Sequence, residues 1–564
     1  MTRARKYASR VKIAVFVVLI IASSLSARPI PDQIQEFLRT RIESADIQPI
    51  IVVGDERIYA SIVLPQFYER RGYWPAWCDD EGISSQVDAL IDAINDARLE
   101  GLEPRDYHLT LLERTRAELQ ADLQKKFSSP LDQERFADFD LLITDAFLIY
   151  ASHLLAGRIN PETIDPEWRA NRREADLADV LQKALDTHKV KETLRELLPE
   201  YPGYWRLRST LPMYREIAAS GGWPVIPEGP AIKKGETGEH VVVLCERLRA
   251  EGYLSTEECR ATFDEATEAA VKQFQKCNGL DSDGVVGAAT RAALNVPASE
   301  RVKQILVNLE RWRWLPQELG NRCIIINIAN FELDVVEENE TVLNMRAVVG
   351  RAYRRTPVFT DRMTYIVLNP YWNVPRMIAT KDILPLIKKD VTYLTKQNIR
   401  VLQGVGASQL EIDPHTVDWT EVTENNFTYT FRQDPGPTNA LGRMKFMFPN
   451  KYNVYIHDTP AIELFAKAER GFSSGCIRIE RPFELAEYLL KGDTYWTKER
   501  LRSAIRQLVT QTIRLQDPIF VHLLYWTTWL DDDGSIQFRY DIYGRDQVLH
   551  DALREKPPGA SNNE

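Results

Sequence analysis

Through the first third of the chain, apolar residues recur at three- and four-residue spacing. "PDQIQEFLRTRIE" (31–43) and "DFDLLITDAFLIYASHLLAGRI" (138–159) follow this period, which predicts helices with a buried face. "INPETIDPEW" (159–168) and "YPGYW" (201–205) interrupt it with proline and glycine. Residues 28–225 therefore read as a helical scaffold domain, in which the five aromatics of "FYERRGYWPAW" (67–77) serve packing. The Gly- and Pro-dense "GGWPVIPEGPAIKKGETG" (221–238) marks a boundary. A compact unit follows, 226–297. Its first predicted helix, "HVVVLCERLRAEGYL", ends near Gly252. The second, within "FDEATEAAVKQFQKCNGL", has Ala266, Ala270 and Phe274 on its face and Gly279 past its end. A short third helix is predicted in "DSDGVVGAATRAALNVP". Residues 298–321 read as a connector.

From residue 322 the period shortens to two. "RCIIINIANFELDVVEEN", "ETVLNMRAVVG" and "MTYIVLNPYWNVP" read as strands, and "NVYIHDTP" and "GCIRIERP" as short ones. "DDDG" (531–534) lies between two apolar runs and signals a hairpin. A helix is predicted after Pro482, where proline suits the first turn. Within this β-rich domain, 322–545, the stretch 376–430 reads as a helical, polar insertion, either a lid or a peripheral decoration. Residues 546–564 read as a polar tail. The predicted class is multidomain α+β.

Composition narrows the function. The formal charge of −10, with charges interspersed, gives no footprint for nucleic acid. "MTRARKYASRVK", an apolar run from Ile13 to Ala22 and small residues up to Ala27 read as a secretory signal or an N-terminal anchor over 1–27. No later segment reads as long and apolar enough to span a membrane. Export places six cysteines in an oxidising compartment, where one disulfide can form among Cys245, Cys259 and Cys277. No Cys/His cluster has zinc spacing, so no metal is expected.

The candidate chemistry lies at "GFSSGCIRIERP" (471–482). Cys476 can be a half-cystine, a buried thiol or a nucleophile. His457 ends the strand-like "NVYIHDTP", and the chain returns nineteen residues later, so two strand ends can bring imidazole and thiol together. A neighbouring imidazole lowers a thiol pKa and yields a thiolate. Arg478 shares a strand face with Cys476. It can bind a substrate carboxylate or form a structural salt bridge. Arg443 and Lys445 are weaker candidates for cleft charge.

"HDTP…RGFSSGCIRIERP" resembles the signature of the L,D-transpeptidases, the YkuD-type catalytic domain. "VVGRAYRRTPVF" (348–359), "LNPYWNVPR" (368–376) and "PGPTNALGRMKFMFPN" (435–450) resemble further segments of that domain in the same order. The middle unit resembles a small peptidoglycan-binding domain, and the N-terminal region the scaffold domain of the large periplasmic branch.

The resemblance implies an enzyme that joins peptidoglycan tetrapeptide stems, donor to acceptor, by 3-3 diaminopimelate cross-links with loss of terminal D-Ala. Cys476 matches the nucleophile and His457 the general acid/base. Asp458 would orient His457 through its carbonyl or its carboxylate. Gly475 and Cys476 would supply oxyanion amides, and Tyr371, Trp372, Asn373, Ser474 and Arg478 would contact substrate. Ser474 stands where many members carry histidine. The insertion would cap the site, no cofactor would be needed, carbapenem β-lactams would acylate the cysteine, and the protein would work in the periplasm. The alternatives are an L,D-carboxypeptidase that trims D-Ala and a catalytically silent wall-binding scaffold.

Overall fold

The computed structural model describes residues 30–44, 51–79, 82–123, 130–169, 171–255, 259–404 and 406–555. The predicted signal and the last nine residues of the predicted tail lie outside them.

Eight strands close into a barrel. We number them β1 Arg322–Asn327, β2 Glu332–Glu337, β3 Glu340–Gly350, β4 Phe359–Leu368, β5 Met444–Met447, β6 Ile456–His457, β7 Ile477–Ile479 and β8 Gln511–Leu524. Their order round the wall is β3-β7-β6-β5-β4-β8-β1-β2, and β2 pairs with β3 to close the ring. The pairs β6–β7 and β8–β1 are parallel and the others antiparallel. The early half of β3 pairs with β2 and its late half with β7, so this one long strand turns the corner that closes the barrel. Inward-facing residues such as Ile324, Val335, Ala347, Ile366, Phe446, Ile456 and Ile477 form its core.

The insertion carries short helices, among them Arg376–Ile378, Leu384–Ile387 and Thr392–Lys396, and a sheet that the sequence reading did not include. It has its own core, including Val374, Ile383, Leu394, Val401, Trp419 and Phe431, and a four-stranded sheet. Ile399–Gln403 and Tyr429–Gln433 pair in that sheet, and Trp372–Asn373 joins its edge. The strands are short and separated by polar turns, so their period-2 signal is weak.

The middle unit holds helices Glu239–Ala250, Glu265–Cys277 and Ala288–Leu294. Ala266 is exposed, and the buried face of the second helix is Thr267, Ala270, Val271 and Phe274. Cys245 and Cys259 form a disulfide, leaving Cys277 buried and unpaired with another sulfur.

The connector contains helix Ala298–Arg313, with ten buried residues, among them Arg301, Asn308, Glu310, Arg311 and Arg313. Glu310 pairs with Arg313 at 2.6 Å and accepts the Ile159 amide of the scaffold at 2.8 Å, while Arg311 pairs with Asp546 at 2.6 Å. Buried charges persist only when paired. These contacts tie the scaffold and the C-terminal segment to one helix. The tail likewise begins with helix Arg545–Arg554, in which Arg545, Leu549 and His550 are buried. Its mostly polar sequence conceals that face. Helix Pro130–Ala156 contains a stretch, Gln133–Ala156, apolar and long enough to cross a membrane, contrary to the sequence reading, but that stretch is almost wholly buried as the scaffold's core.

Candidate active site

Three neighbouring barrel strands present one polar face. Register aligns Lys445 of β5 with His457 of β6, and His457 with Arg478 of β7. Strand alternation carries Tyr455 to the face of His457 and Cys476 to that of Arg478. The residues between them, Phe446, Ile456, Ile477 and Ile479, point into the core. Apolar alternation therefore sets which side chains share the site. The loop before β6 is held by Asn450. Its amide donates to the Phe448 and Val454 carbonyls and its oxygen accepts the Tyr452 and Val454 amides.

His457 is buried, and its Nδ1 lies 2.5 Å from the Asp458 carbonyl oxygen. A carbonyl only accepts, so Nδ1 carries the proton and Nε2 is left as a free base. The Asp458 carboxylate is turned elsewhere: Oδ2 accepts the Arg443 amide and Oδ1 the Thr459 amide, each at 2.7 Å. Asp458 therefore orients the ring through its main chain. Gly442, with φ +59°, makes room, because a Cβ there would sit 2.4 Å from that carboxylate.

Burial and the charges of Arg478 and Lys445 push the His457 pKa down to about 3, against the bond from Asp458. Burial pushes the Cys476 thiol up, opposed by Tyr455 through its amide and hydroxyl and by Lys445 and Arg478. Both shifts work against the thiolate that the sequence reading expects from a neighbouring imidazole. Burial disfavours both charged forms. Lys445 stands over the Tyr455 ring, its Nζ 3.7 Å from the ring centre. The Cys476 sulfur lies 3.9 Å from the Asn453 carbonyl oxygen.

Arg478 has no carboxylate partner among the described residues, and its Nε is buried without a hydrogen bond. The Glu463 carboxylate acts on it through its charge but makes no direct ion pair with it. Ser474 accepts from Arg354 Nη1 at 3.0 Å, and Arg354 also pairs with Asp382 of the insertion, Nη2 to Oδ1 at 2.9 Å. The Gly475 amide donates to Ser473 Oγ at 3.1 Å, and that hydroxyl donates to the Cys476 carbonyl at 2.5 Å. One of the two expected oxyanion amides is therefore occupied; the Cys476 amide donates to no protein acceptor among the described residues. Trp372 and Asn373 form the edge strand of the insertion's sheet, Trp372 packs on its core, and Tyr371 lies under the Arg432 guanidinium.

Sequence reasoning missed Tyr455, Ser473, Arg354 and Asp382. Tyr455 was within reach, two residues before His457 in an alternating run. The Arg354–Asp382 pair crosses two units and leaves no local signal. No cluster of three or more His, Cys, Asp or Glu side chains could hold a metal among the described residues.

Fold and face together define a β-barrel domain with a thiol and an imidazole on one cationic wall. Family comparison names the parts. Residues 321–498 match the L,D-transpeptidase catalytic domain (YkuD), residues 237–294 the family described as "Putative peptidoglycan binding domain", and residues 63–211 the scaffold domain. The chain thus carries a YkuD-type L,D-transpeptidase catalytic domain together with a peptidoglycan-binding domain and a scaffold domain. A Haemophilus influenzae protein named "Putative L,D-transpeptidase" is 34% identical over 260 residues, 45% of this chain and 51% of that one. The chain therefore spans about half the length of this curated relative. Crystal structures of L,D-transpeptidases from Xylanimonas cellulosilytica (18% identity, TM-score 0.17) and Stackebrandtia nassauensis (13%, 0.21) each cover 53% of this chain and 99% and 96% of their own. At such TM-scores neither likeness bears on the site.

Proposed function

We propose that the chain is an L,D-transpeptidase that forms 3-3 cross-links between diaminopimelate residues of peptidoglycan stems through a thioester on Cys476. One observation carries this reading: Cys476, His457 and an Arg478 with no salt bridge among the described residues lie on one face beside Lys445. A half-buried guanidinium next to a thiol, its Nε without a hydrogen bond, suits a substrate that brings its own carboxylate. A tetrapeptide stem is such a substrate.

As the sulfur attacks the carbonyl of the diaminopimelate L-centre, its proton passes to His457 Nε2. The oxyanion formed is held by the Cys476 amide. Collapse breaks the bond to D-Ala, whose amine takes the proton from the imidazolium and leaves. The thioester remains. The acceptor amine then attacks it, gives its proton to Nε2, and the returning thiolate recovers a proton as the 3-3 bond is completed. The neutral ring at rest suits the base role, and Arg478 and Lys445 stabilise the sulfur's negative charge as the proton departs. The insertion, linked to the nucleophile's turn through Arg354, excludes water from the thioester. The enzyme acts in the periplasm, with its N-terminal segment serving as export signal or anchor and the middle domain holding the wall.

The test is intact mass after incubation of the mature protein with disaccharide-tetrapeptide and, separately, with a carbapenem. An adduct on Cys476, absent from Cys476→Ala, and cross-linked dimers with release of D-Ala are expected. No wild-type adduct would sink the nucleophile assignment. Trimmed tripeptide without dimers would favour the carboxypeptidase.

A further inference from the structure

The nucleophile's turn is stitched from behind by hydroxyl groups, one of them from outside the matched catalytic domain. Thr356 Oγ1 donates to the Gly475 carbonyl at 2.9 Å and accepts the Gly350 amide at 2.9 Å. The Tyr543 hydroxyl accepts the Thr356 amide at 3.0 Å and donates to the Gly350 carbonyl at 2.7 Å. Each hydroxyl thus uses one donor and one acceptor function, and both main-chain groups of Gly350 are consumed. Gly350 allows the close fit, since a Cβ there would lie 2.2 Å from the Arg354 carbonyl oxygen.

The Gly475 carbonyl and the Cys476 amide belong to one peptide plane. In a trans peptide they point in opposite directions. Pulling the carbonyl back toward Thr356 therefore turns the Cys476 N–H outward, away from the buried network. The Gly475 amide is held by Ser473, so the 475–476 peptide supplies the free donor of this turn.

We propose that Thr356 and Tyr543 are positioning residues that aim the Cys476 amide at the developing oxyanion. The segment carrying Tyr543 is on this account part of the catalytic unit, although it lies 45 residues beyond the end of the family match at 498. Tyr543 is itself fixed. Its ring stacks on Tyr525 at 5.5 Å, the Arg545 guanidinium stands 5.0 Å from its centre, and its amide donates to the Tyr525 hydroxyl. Arg545 pairs with Asp165 at 2.6 Å, which carries the anchor back to the scaffold domain.

This inference rests on Cys476 as the acyl carrier, so the experiment separates the two. The full mature chain is compared as wild type, Thr356→Val, Thr356→Ser and Tyr543→Phe. Two rates are read: acylation of Cys476 by disaccharide-tetrapeptide, which builds an oxyanion, and its alkylation by iodoacetamide, which does not. Loss of one oxyanion donor slows reactions by about 100- to 1,000-fold, so misaiming it should slow acylation about 10- to 100-fold in Thr356→Val and about tenfold in Tyr543→Phe. Alkylation should stay within about threefold and Thr356→Ser should recover acylation, since its hydroxyl remains. Tyr543→Phe keeps the ring and its stacking, which guards against a variant that merely misfolds. Unchanged acylation in both Thr356→Val and Tyr543→Phe overturns the inference. So does a parallel fall in both rates, which would mean that these hydroxyls hold the turn without aiming it. A wild type that is alkylated but never acylated overturns the underlying reading instead.

Discussion

At neutral pH Cys476 is expected to react as a thiol and not as half of an ion pair. Burial raises its pKa from the ordinary 9.0, while the His457 imidazole is pushed down to about 3. Both shifts favour the neutral pair. A thiol with pKa above 9 is less than about 3% thiolate at pH 7.5, whereas a cysteine ion-paired with pKa about 4 is more than about 99% thiolate. The two cases differ about thirtyfold in the ionised fraction at that pH. The assay is site-resolved alkylation by iodoacetamide from pH 5 to 10, followed by peptide mass, because Cys78, Cys277 and Cys323 also lie outside the disulfide. The rate at Cys476 should climb about tenfold per pH unit from 6 to 9, as a thiolate-only reaction requires below the pKa. Lys445→Met and Arg478→Met should each move the curve to higher pH, since both cations favour the thiolate. His457→Ala should leave the curve nearly in place. A plateau between pH 5 and 8 that disappears in His457→Ala would refute the neutral pair and restore the preformed ion pair.

Two further outcomes follow from contacts around the turn. Arg354→Ala and Asp382→Ala should each raise the ratio of hydrolysed to cross-linked product, by about fivefold at most if their pair contributes about 1 kcal/mol; a change in only one variant, read by product chromatography, would exclude the pair as the link. Gly442→Ala should lower the thermal midpoint and slow acylation together, because the new Cβ meets Asp458 and a positive φ costs a side chain about 1 kcal/mol or more; normal unfolding with normal acylation would show that Asp458 can move without disturbing His457.

The part of the site that alternation controls was legible. "NVYIHD" and "GCIRIE" each carry a period of two, so His457 and Cys476 were paired as candidates, and Arg478 was assigned to the face of Cys476. The hydroxyl network was not legible. Thr356 and Tyr543 are separated by 187 residues, and a serine, threonine or tyrosine in a chain does not announce which main-chain group it will meet. The amides of the turn were illegible for the same reason: Gly475 was expected to supply an oxyanion amide, whereas the Ser473 hydroxyl occupies it. The C-terminal helix was hidden because its buried face includes Arg545 and His550, whose burial depends on partners elsewhere. The backbone of Trp372 and Asn373 joins the insertion's sheet, a pairing that two residues after a proline do not signal.

The closed barrel also bears on where this chain can be cut. Strand β8, Gln511–Leu524, lies wholly beyond residue 498 and pairs on both sides, with β4 and with β1. A fragment trimmed to the matched domain would lose a whole stave from the wall, and two neighbouring strands would present unpaired amides and carbonyls to solvent. Such edges recruit strands from other molecules. The boundary at which family likeness ends is therefore not a boundary of folding, and a soluble catalytic fragment has to run on through the C-terminal helix.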